Sequence, residues 1–194
     1  MISKDRQYRA FDFTETDEMV VEGQAVTFDN PTVMWEMDGI KFYEVISRDA
    51  FNNTNMSDVV LNIDHEGKPA AKTKNGTLEL RKTDSGLFIR ADLSKNATGR
   101  ELHEDIKNGF YDKMSFAFTV KKDSYDKQTR TRRIEEIDRL YDVSAVTFPA
   151  YSDTSISARS FFEAEATKEM EERAEAARRE ELIERIKTLT KGEE

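Results

Sequence analysis

The sequence predicts a mainly β protein of the α+β class, followed by a charged C-terminal helix. Short runs rich in β-branched and aromatic residues recur along residues 1–150, and turn residues separate them. One amphipathic helix interrupts this pattern at residues 97–109. Residues 163–191 contain neither Pro nor Gly and are dominated by Ala, Glu, Arg and Lys, which are strong helix formers. We therefore expect a β domain at residues 1–160 and a helical tail at residues 161–194.

The composition limits the kinds of function that the chain can have. It has 194 residues, no cysteine and a formal net charge of −9. The absence of cysteine excludes disulfides, thiol catalysis and thiolate metal sites. The acidic balance argues against a general nucleic-acid binder, because phosphate contacts need a basic surface. No run of about 18 apolar residues is present, and the N-terminus lacks a signal-peptide core, so we expect a cytoplasmic protein without nucleic-acid or membrane partners.

Before the helix, turn residues divide the chain into short β segments. The predicted strands are residues 19–28, 40–46, 59–65, 77–82 and 86–93. In the third of these, alternation places His65 on the same face as Val59 and Leu61. His65 ends that strand, and Gly67 indicates that the chain turns immediately afterwards.

The segment KMSFAFTV at residues 113–120 is a short apolar strand with one small hydroxyl, Ser115. Alternation gives it a core face and a face of small residues. The core face consists of Met114, Phe116, Phe118 and Val120, and the small-residue face consists of Ser115, Ala117 and Thr119. The small side chains leave room for something to lie against that face. On the pattern alone, Ser115 is either core filler or a nucleophile.

The rest of the chain holds a charged stretch, a further strand and the tail. Residues 121–133 are polar and strongly charged, and we interpret them as an exposed hairpin loop. Residues 141–149 form a strand that ends at Pro149, with Asp142 and Ser144 on one face. The tail has a narrow apolar stripe formed by Leu182, Ile183, Ile186 and Leu189. Such a helix is typical of a solvated, oligomerising or partner-docking element.

A serine nucleophile needs a general base, and the two histidines limit the choice. His65 lies at a strand end and His103 in the predicted helix; a histidine at a strand end is more often structural than catalytic. Asp64, His65 and Glu66 together could bind a metal. Adjacent strand residues point to opposite faces, however, and no HxH or HxxxH pattern exists, so we expect no zinc site. No Gly-rich phosphate loop is present either, and we expect no cofactor.

Several segments, in this order, carry a resemblance to a known family. They are EGQAVTF at 22–28, AF at 50–51, IDH at 63–65, DSGL at 84–87, IKNG at 106–109, KMSFAF at 113–118 and LYDVSAVTFPA at 140–150. The combination closely resembles the prohead (procapsid maturation) protease family of tailed bacteriophages. The resemblance covers roughly residues 8–158, which is most of the chain before the charged tail.

This resemblance implies a fold like that of the herpesvirus assemblin proteases, with a β-barrel core and a few helices around it. It implies a serine endopeptidase without a cofactor, located inside the immature procapsid in the host cytoplasm. Its substrates would be the scaffolding protein or the scaffolding segment of the major capsid protein, and the enzyme itself. Self-association is a further expectation. Ser115 matches the family's nucleophile and His65 its base.

The third catalytic residue has two candidates. The resemblance places Asp142 at the family's acidic position, whereas the herpesvirus relatives use a second histidine, for which His103 is the candidate. We favour Asp142 because it lies on a strand. Arg130, Arg132 and Arg133 could assist the backbone donors of the oxyanion hole through an ordered water. The tail would target the enzyme to the scaffold or be removed by self-cleavage.

An alternative function of another class is a non-catalytic capsid assembly or scaffold factor built on a protease-like fold. In that case Ser115 would be buried, or would lie far from His65. The separation of the serine hydroxyl and the imidazole, and the exposure of the serine, therefore discriminate between the two functions.

Overall fold

The computed structural model describes residues 7–16, 19–147 and 156–190. The described strands are β1 (Gln7–Thr16), β2 (Val20–Thr27), β3 (Thr32–Met37), β4 (Ile40–Ile46), β5 (Val60–Ile63), β6 (Glu66–Lys72), β7 (Leu78–Lys82), β8 (Gly86–Asp92), β9 (Lys113–Asp126) and β10 (Thr131–Val146). The helices are α1 (Ala97–Lys107) and α2 (Ile156–Thr190), with 3-10 helices at Arg48–Phe51, Thr73–Asn75 and Leu93–Lys95. The mainly β class and the C-terminal helix are thus confirmed.

The described strands form one open, mixed sheet. Their order is β3-β4-β10-β9-β1-β2-β8-β7, and β5 pairs with β10 and β6. Most pairs are antiparallel, but β10 runs parallel to β4 and to β5. A closed barrel leaves no strand edge unpaired, whereas within the described residues β3 pairs only with β4 and β7 only with β8. The expected β-barrel core is therefore wrong for this part of the chain.

The long strands β9 and β10 form the centre of the sheet and carry its main core. The predicted core face of β9 is confirmed, since Met114, Phe116 and Phe118 are fully buried. Burying each of these side chains contributes about 1.5–3 kcal/mol to the free energy of unfolding. The strand predicted at residues 141–149 is the last part of β10, which ends at Val146; Phe148 and Pro149 lie outside the described residues.

The interpretation of residues 121–133 as an exposed loop is wrong for most of that stretch. β9 continues to Asp126 and β10 begins at Thr131, so that only residues 127–130 form the turn of a long hairpin. Oppositely charged side chains pair across the two strands: Lys121 Nζ lies 2.6 Å from a Glu136 carboxylate oxygen. The charge that indicated a loop is the solvent face of a ladder with cross-strand ion pairs.

Strand β10 does not show simple alternation, because it contains register shifts. Its buried apolar residues recur at intervals of three: Ile134, Ile137, Leu140 and Val143. A regular strand buries every second residue. The register of β10 on β9 shifts at several points between Ile134 and Asp142, and each shift keeps the apolar side chain on the core face.

The first part of α2 packs against the sheet beside β3 and β4. It contributes to a second hydrophobic cluster, whose buried members are Met34, Phe42, Phe162 and Ala166. The guanidinium of Arg130 makes two hydrogen bonds to the Glu169 carboxylate, at 2.8 and 2.5 Å. Residues 170–187 are all exposed. The division at residue 160 stays a prediction, although α2 already begins at Ile156.

In the part of the chain that the structure describes, no helix is long and apolar enough to cross a membrane.

Candidate active site

Three neighbouring strands bring polar side chains to the face of the sheet opposite the core. Ser115 on β9 is the Cα partner of Ser144 on β10, and Ser144 is the Cα partner of Asn62 on β5. Paired residues on adjacent strands project to the same side of a sheet. We call Ser115, Ser144 and Asn62 the polar row. Asp142 lies next to this row on β10, opposite Ala117.

A register shift in β10 determines that Asp142 projects on this face. Leu140 pairs with Phe118 and projects into the core, whereas Asp142, two residues later, pairs with Ala117, the next residue of β9. In a regular strand, residues two apart share a face, so Asp142 would also point into the core. The extra residue at Tyr141 moves it to the face that carries Ser115, which is how bulges re-aim side chains next to active sites.

His65 lies in the two-residue turn between β5 and β6. The flanking residues Ile63 and Glu66 pair with each other, and φ is 47° at Asp64 and 63° at His65. Two positive φ values in a two-residue hairpin are typical of a type I′ turn, which usually contains Asn and Gly. A left-handed conformation costs a residue with a β-carbon about 1–2 kcal/mol, and such strain is concentrated at functional sites.

The side chain of Asp64 fixes this turn on the end of β10. The backbone N–H of Asp64 donates to the Ala145 carbonyl at 2.8 Å, and one Asp64 carboxylate oxygen accepts from the Thr147 N–H at 3.2 Å. His65 therefore does not continue the face of Leu61, as alternation predicts. The turn instead brings its imidazole to the opposite face of the sheet.

The imidazole and the Asp142 carboxylate are in direct contact. Nδ1 of His65 lies 2.5 Å from Oδ1 of Asp142, and the Ser144 hydroxyl donates to the same oxygen at 2.8 Å. Asp142 is only 3% exposed. A carboxylate in this position accepts a hydrogen bond from Nδ1–H, which leaves Nε2 as the nitrogen that can take a proton. Serine hydrolases arrange their general base and its orienting acid in this way.

Ser115 is buried in this structure. Its residue exposure is 1%, and its Oγ has no hydrogen-bond partner among the described residues. The expectation that the small-residue face is open is wrong, since Ala117 and Thr119 are buried as well. The Ser115 hydroxyl is thus neither solvated nor bonded to His65. Catalytic hydrogen bonds are often long or absent without substrate, but substrate can reach this hydroxyl only after local opening.

His103 belongs to α1 and is buried on the same helix face as Leu102 and Ile106. Nδ1 of His65 contacts Asp142, so the geometry favours Asp142 over His103 as the third residue of the candidate triad.

The arginines of residues 130–133 lie at the other end of β10 and form ion pairs there. Besides the pair of Arg130 with Glu169, Arg132 bonds to Asp123 and lies 3.5 Å from Glu44. About 30 Å of strand separates Arg132 from Asp142. A role for these arginines at Ser115 is therefore not supported.

Sequence reasoning placed Ser144 on the same face as Asp142 but gave it no role, and it missed Asn62, the other member of the polar row. A role for Ser144 could have been identified, because alternation sets it two residues after Asp142 on that face. Asn62 could not, because its place opposite Ser144 depends on the parallel pairing of β5 with β10.

Comparison with known proteins identifies the family of the chain. The family model described as caudovirus prohead serine protease matches residues 4–171. The prohead protease of Enterobacteria phage HK97 is 31% identical over 80 residues, which are 41% of this chain and 36% of that protein, so the match spans about a third of the curated relative. Among solved structures, the bacteriophage T4 capsid assembly protease gp21 is similar, with a TM-score of 0.44 and 12% identity over 74% of this chain and 99% of that one. Because the family model matches most of its length, this chain belongs to the caudovirus prohead serine protease family.

Proposed function

We propose that this chain is a serine endopeptidase of capsid maturation, with Ser115 as nucleophile, His65 as general base and Asp142 as the orienting acid. One observation carries the proposal: the 2.5 Å contact between His65 and Asp142 lies on the face of the sheet that also presents Ser115. Family membership supports the same function. The relation to the herpesvirus assemblins stays a prediction.

The reaction follows from the roles of the three side chains. Ser115 Oγ attacks the scissile carbonyl while His65 Nε2 takes the hydroxyl proton, and His65 then returns this proton to the leaving amine. Asp142 holds the imidazole through Nδ1 and stabilises the imidazolium. Because Asp142 is 3% exposed, solvent screens this charge interaction less than it would at the surface.

The substrates that we propose are the scaffolding protein or the scaffolding segment of the major capsid protein, and the chain itself. The place of action is the inside of the immature procapsid in the host cytoplasm. These assignments rest on the family of the chain, since no residue of the site encodes them. The burial of Ser115 fits an enzyme that is held closed until a substrate segment opens the site.

Co-expression of the full chain with the phage's major capsid and scaffolding proteins tests the proposal. Ser115→Ala should abolish their cleavage, measured by gel and by mass spectrometry of the fragments. The matched control is Ser124→Ala, which replaces an exposed serine of the same strand and should leave cleavage unchanged. Fragments of unchanged mass and amount in the Ser115→Ala variant would rule out Ser115 as the nucleophile.

The burial of Ser115 favours one second candidate, a non-catalytic capsid assembly or scaffold factor on a protease-like fold. Procapsid assembly separates the two functions. An assembly factor promotes shell formation without fragments of the capsid protein, and Ser115→Ala leaves that effect intact. A protease produces the fragments and loses them with the same substitution.

The exposed part of α2 is proposed to target the enzyme to the scaffold or to be removed by self-cleavage. Residues 170–187 are exposed, and Leu182, Ile183 and Ile186 are the large apolar side chains among them besides Met170. A truncation after residue 173 keeps the packed segment that includes Phe162 and Glu169. Equal packaging of the full and truncated chains into procapsids would exclude the targeting role.

A further inference from the structure

We propose that the side-chain amide of Asn62 donates a hydrogen bond to the carbonyl oxygen of the scissile bond and stabilises the oxyanion that forms there. The proposal rests on the proposed function of Ser115 as nucleophile. It assigns a catalytic role to a residue on β5, two strands away from that nucleophile.

The position of Ser115 in the sheet is the first reason to look for a side-chain donor. Serine hydrolases commonly stabilise the oxyanion with backbone N–H groups beside the nucleophile. Here Ser115 lies on a central strand, paired with Ala10 of β1 on one edge and with Ser144 of β10 on the other. In a strand that is paired on both edges, each N–H is used by one ladder or the other. Within the described residues of β9, the backbone around Ser115 therefore has no N–H left for an oxyanion.

The second reason is the geometry of the polar row. Asn62 and Ser115 project from the same face on either side of Ser144. Two strand spacings put their Cα atoms about 10 Å apart. Ser115 and Ser144 are buried, so a gap for a carbonyl group between the serine and asparagine side chains forms only in the local opening that admits substrate.

The third reason is the hydrogen bonding of the row. Ser144 donates to Asp142, so its hydroxyl proton is already used. Asn62 Oδ1 and Ser115 Oγ are both buried, and neither has a hydrogen-bond partner among the described residues. A buried polar atom without a partner costs about 1–3 kcal/mol. A substrate carbonyl oxygen can satisfy the position that Oδ1 occupies only when the amide nitrogen of Asn62 takes that position.

The amide of Asn62 can present its donor to that gap. Rotation by 180° about χ2 exchanges its oxygen and its nitrogen with almost no change of shape. When Ser115 Oγ bonds to the carbonyl carbon, the electron pair of the C=O bond moves to the oxygen, and the hydroxyl proton goes to His65. The Nδ2–H of Asn62 then donates to this oxyanion. Collapse of the intermediate re-forms C=O and expels the amine, which takes the proton from His65.

The test measures the rate at which a fluorophosphonate modifies Ser115 in the full chain, since the phosphoryl oxygen of this reagent occupies the place of the oxyanion. Asn62→Ala should lower the rate about 10²–10³-fold, the usual effect of losing one oxyanion donor. In cleavage of the capsid protein, the kcat of Asn62→Ala should fall while its KM changes little. The control Asn53→Ala replaces an exposed asparagine and should react like the wild type. Thermal unfolding of each variant reports whether it is folded.

Asn62→Asp is the second variant and decides the question if Asn62→Ala does not fold, because it has the size of asparagine but lacks the N–H donor. A folded Asn62→Asp or Asn62→Ala that reacts within threefold of the wild type overturns the inference. If the wild-type chain is nevertheless labelled at Ser115, the proposed function is unaffected. A wild type that cleaves capsid protein but carries no label on Ser115 overturns both.

Discussion

The orienting role of Asp142 predicts a large and specific loss of activity in Asp142→Asn. The amide has nearly the size of the carboxylate and can still accept from Ser144, so the 2.8 Å bond within β10 can persist and the fold should be kept. What is lost is the negative charge beside the imidazole, whose Nδ1 lies 2.5 Å from Oδ1.

The magnitude follows from Coulomb's law. When His65 takes the serine proton, the centres of the two charges are about 4 Å apart, and at an effective dielectric constant of about 20 their attraction is worth about 4 kcal/mol. Since each 1.36 kcal/mol is tenfold in rate, kcat should fall roughly 10³-fold. The assay is single-turnover cleavage of the capsid protein by purified full-length chain, quantified on gels.

The matched control is Asp138→Asn, which removes the charge of an exposed aspartate of the same strand and should change kcat less than twofold. The melting temperatures of both variants should stay close to that of the wild type. If Asp142→Asn retained more than a tenth of the wild-type kcat while Asp138→Asn behaved normally, the assignment of Asp142 as the orienting acid would be refuted.

Three further predictions test the surroundings of the site. Ser144→Ala should lower kcat about tenfold because Asp142 loses a hydrogen-bond donor, whereas Ser144→Thr should keep most of the wild-type kcat. Equal kcat values for Ser144→Ala and the wild type would contradict this positioning role of Ser144. Phe162→Ala should lower the free energy of unfolding by about 3–5 kcal/mol, measured in urea, because the ring is fully buried; a loss below 1 kcal/mol would mean that α2 is not docked there. Hydrogen bonds from the Ser94 side chain and backbone lower the pKa of Asp92 to about 2. The contribution of Asp92 to stability is therefore present above about pH 4 and is lost as the pH falls through 2. In Asp92→Asn, the free energy of unfolding should depend less on pH between these values, and an unchanged pH dependence would contradict this role of Asp92.

The core face of the central strand could be predicted because alternation is a local property of the sequence. Met114, Phe116 and Phe118 are two residues apart, and β9 is regular where they occur. The same reasoning failed for its other face, because small side chains indicate available space only if nothing else covers them. Ser115 is buried, which local pattern cannot reveal.

The site itself depends on irregular backbone that alternation does not describe. His65 was expected to continue the face of Leu61, yet the turn with positive φ at Asp64 and His65 moves it away. Asp142 reaches the site through a register shift. His65, Ser115 and Asp142 were selected by the resemblance to a family, and the pairings of β5, β9 and β10 then explain how these residues can act together.

The prediction of a β-barrel core was wrong for a different reason. Closure is a property of the whole sheet, and it depends on whether the two outermost strands meet. Local sequence predicts many of the strands, β7 among them, but it predicted neither β3 nor the fact that β3 and β7 end the strand order.

Covalent labelling tests the central claim most directly, because it asks whether Ser115 is an activated nucleophile without any assumption about the natural substrate. The full chain is treated with a fluorophosphonate, and the modified peptide is identified by mass spectrometry. We predict a single adduct on Ser115 that disappears in Ser115→Ala and forms much more slowly in His65→Ala. An adduct on another residue, or none in a preparation that cleaves capsid protein, would contradict the assignment of this site.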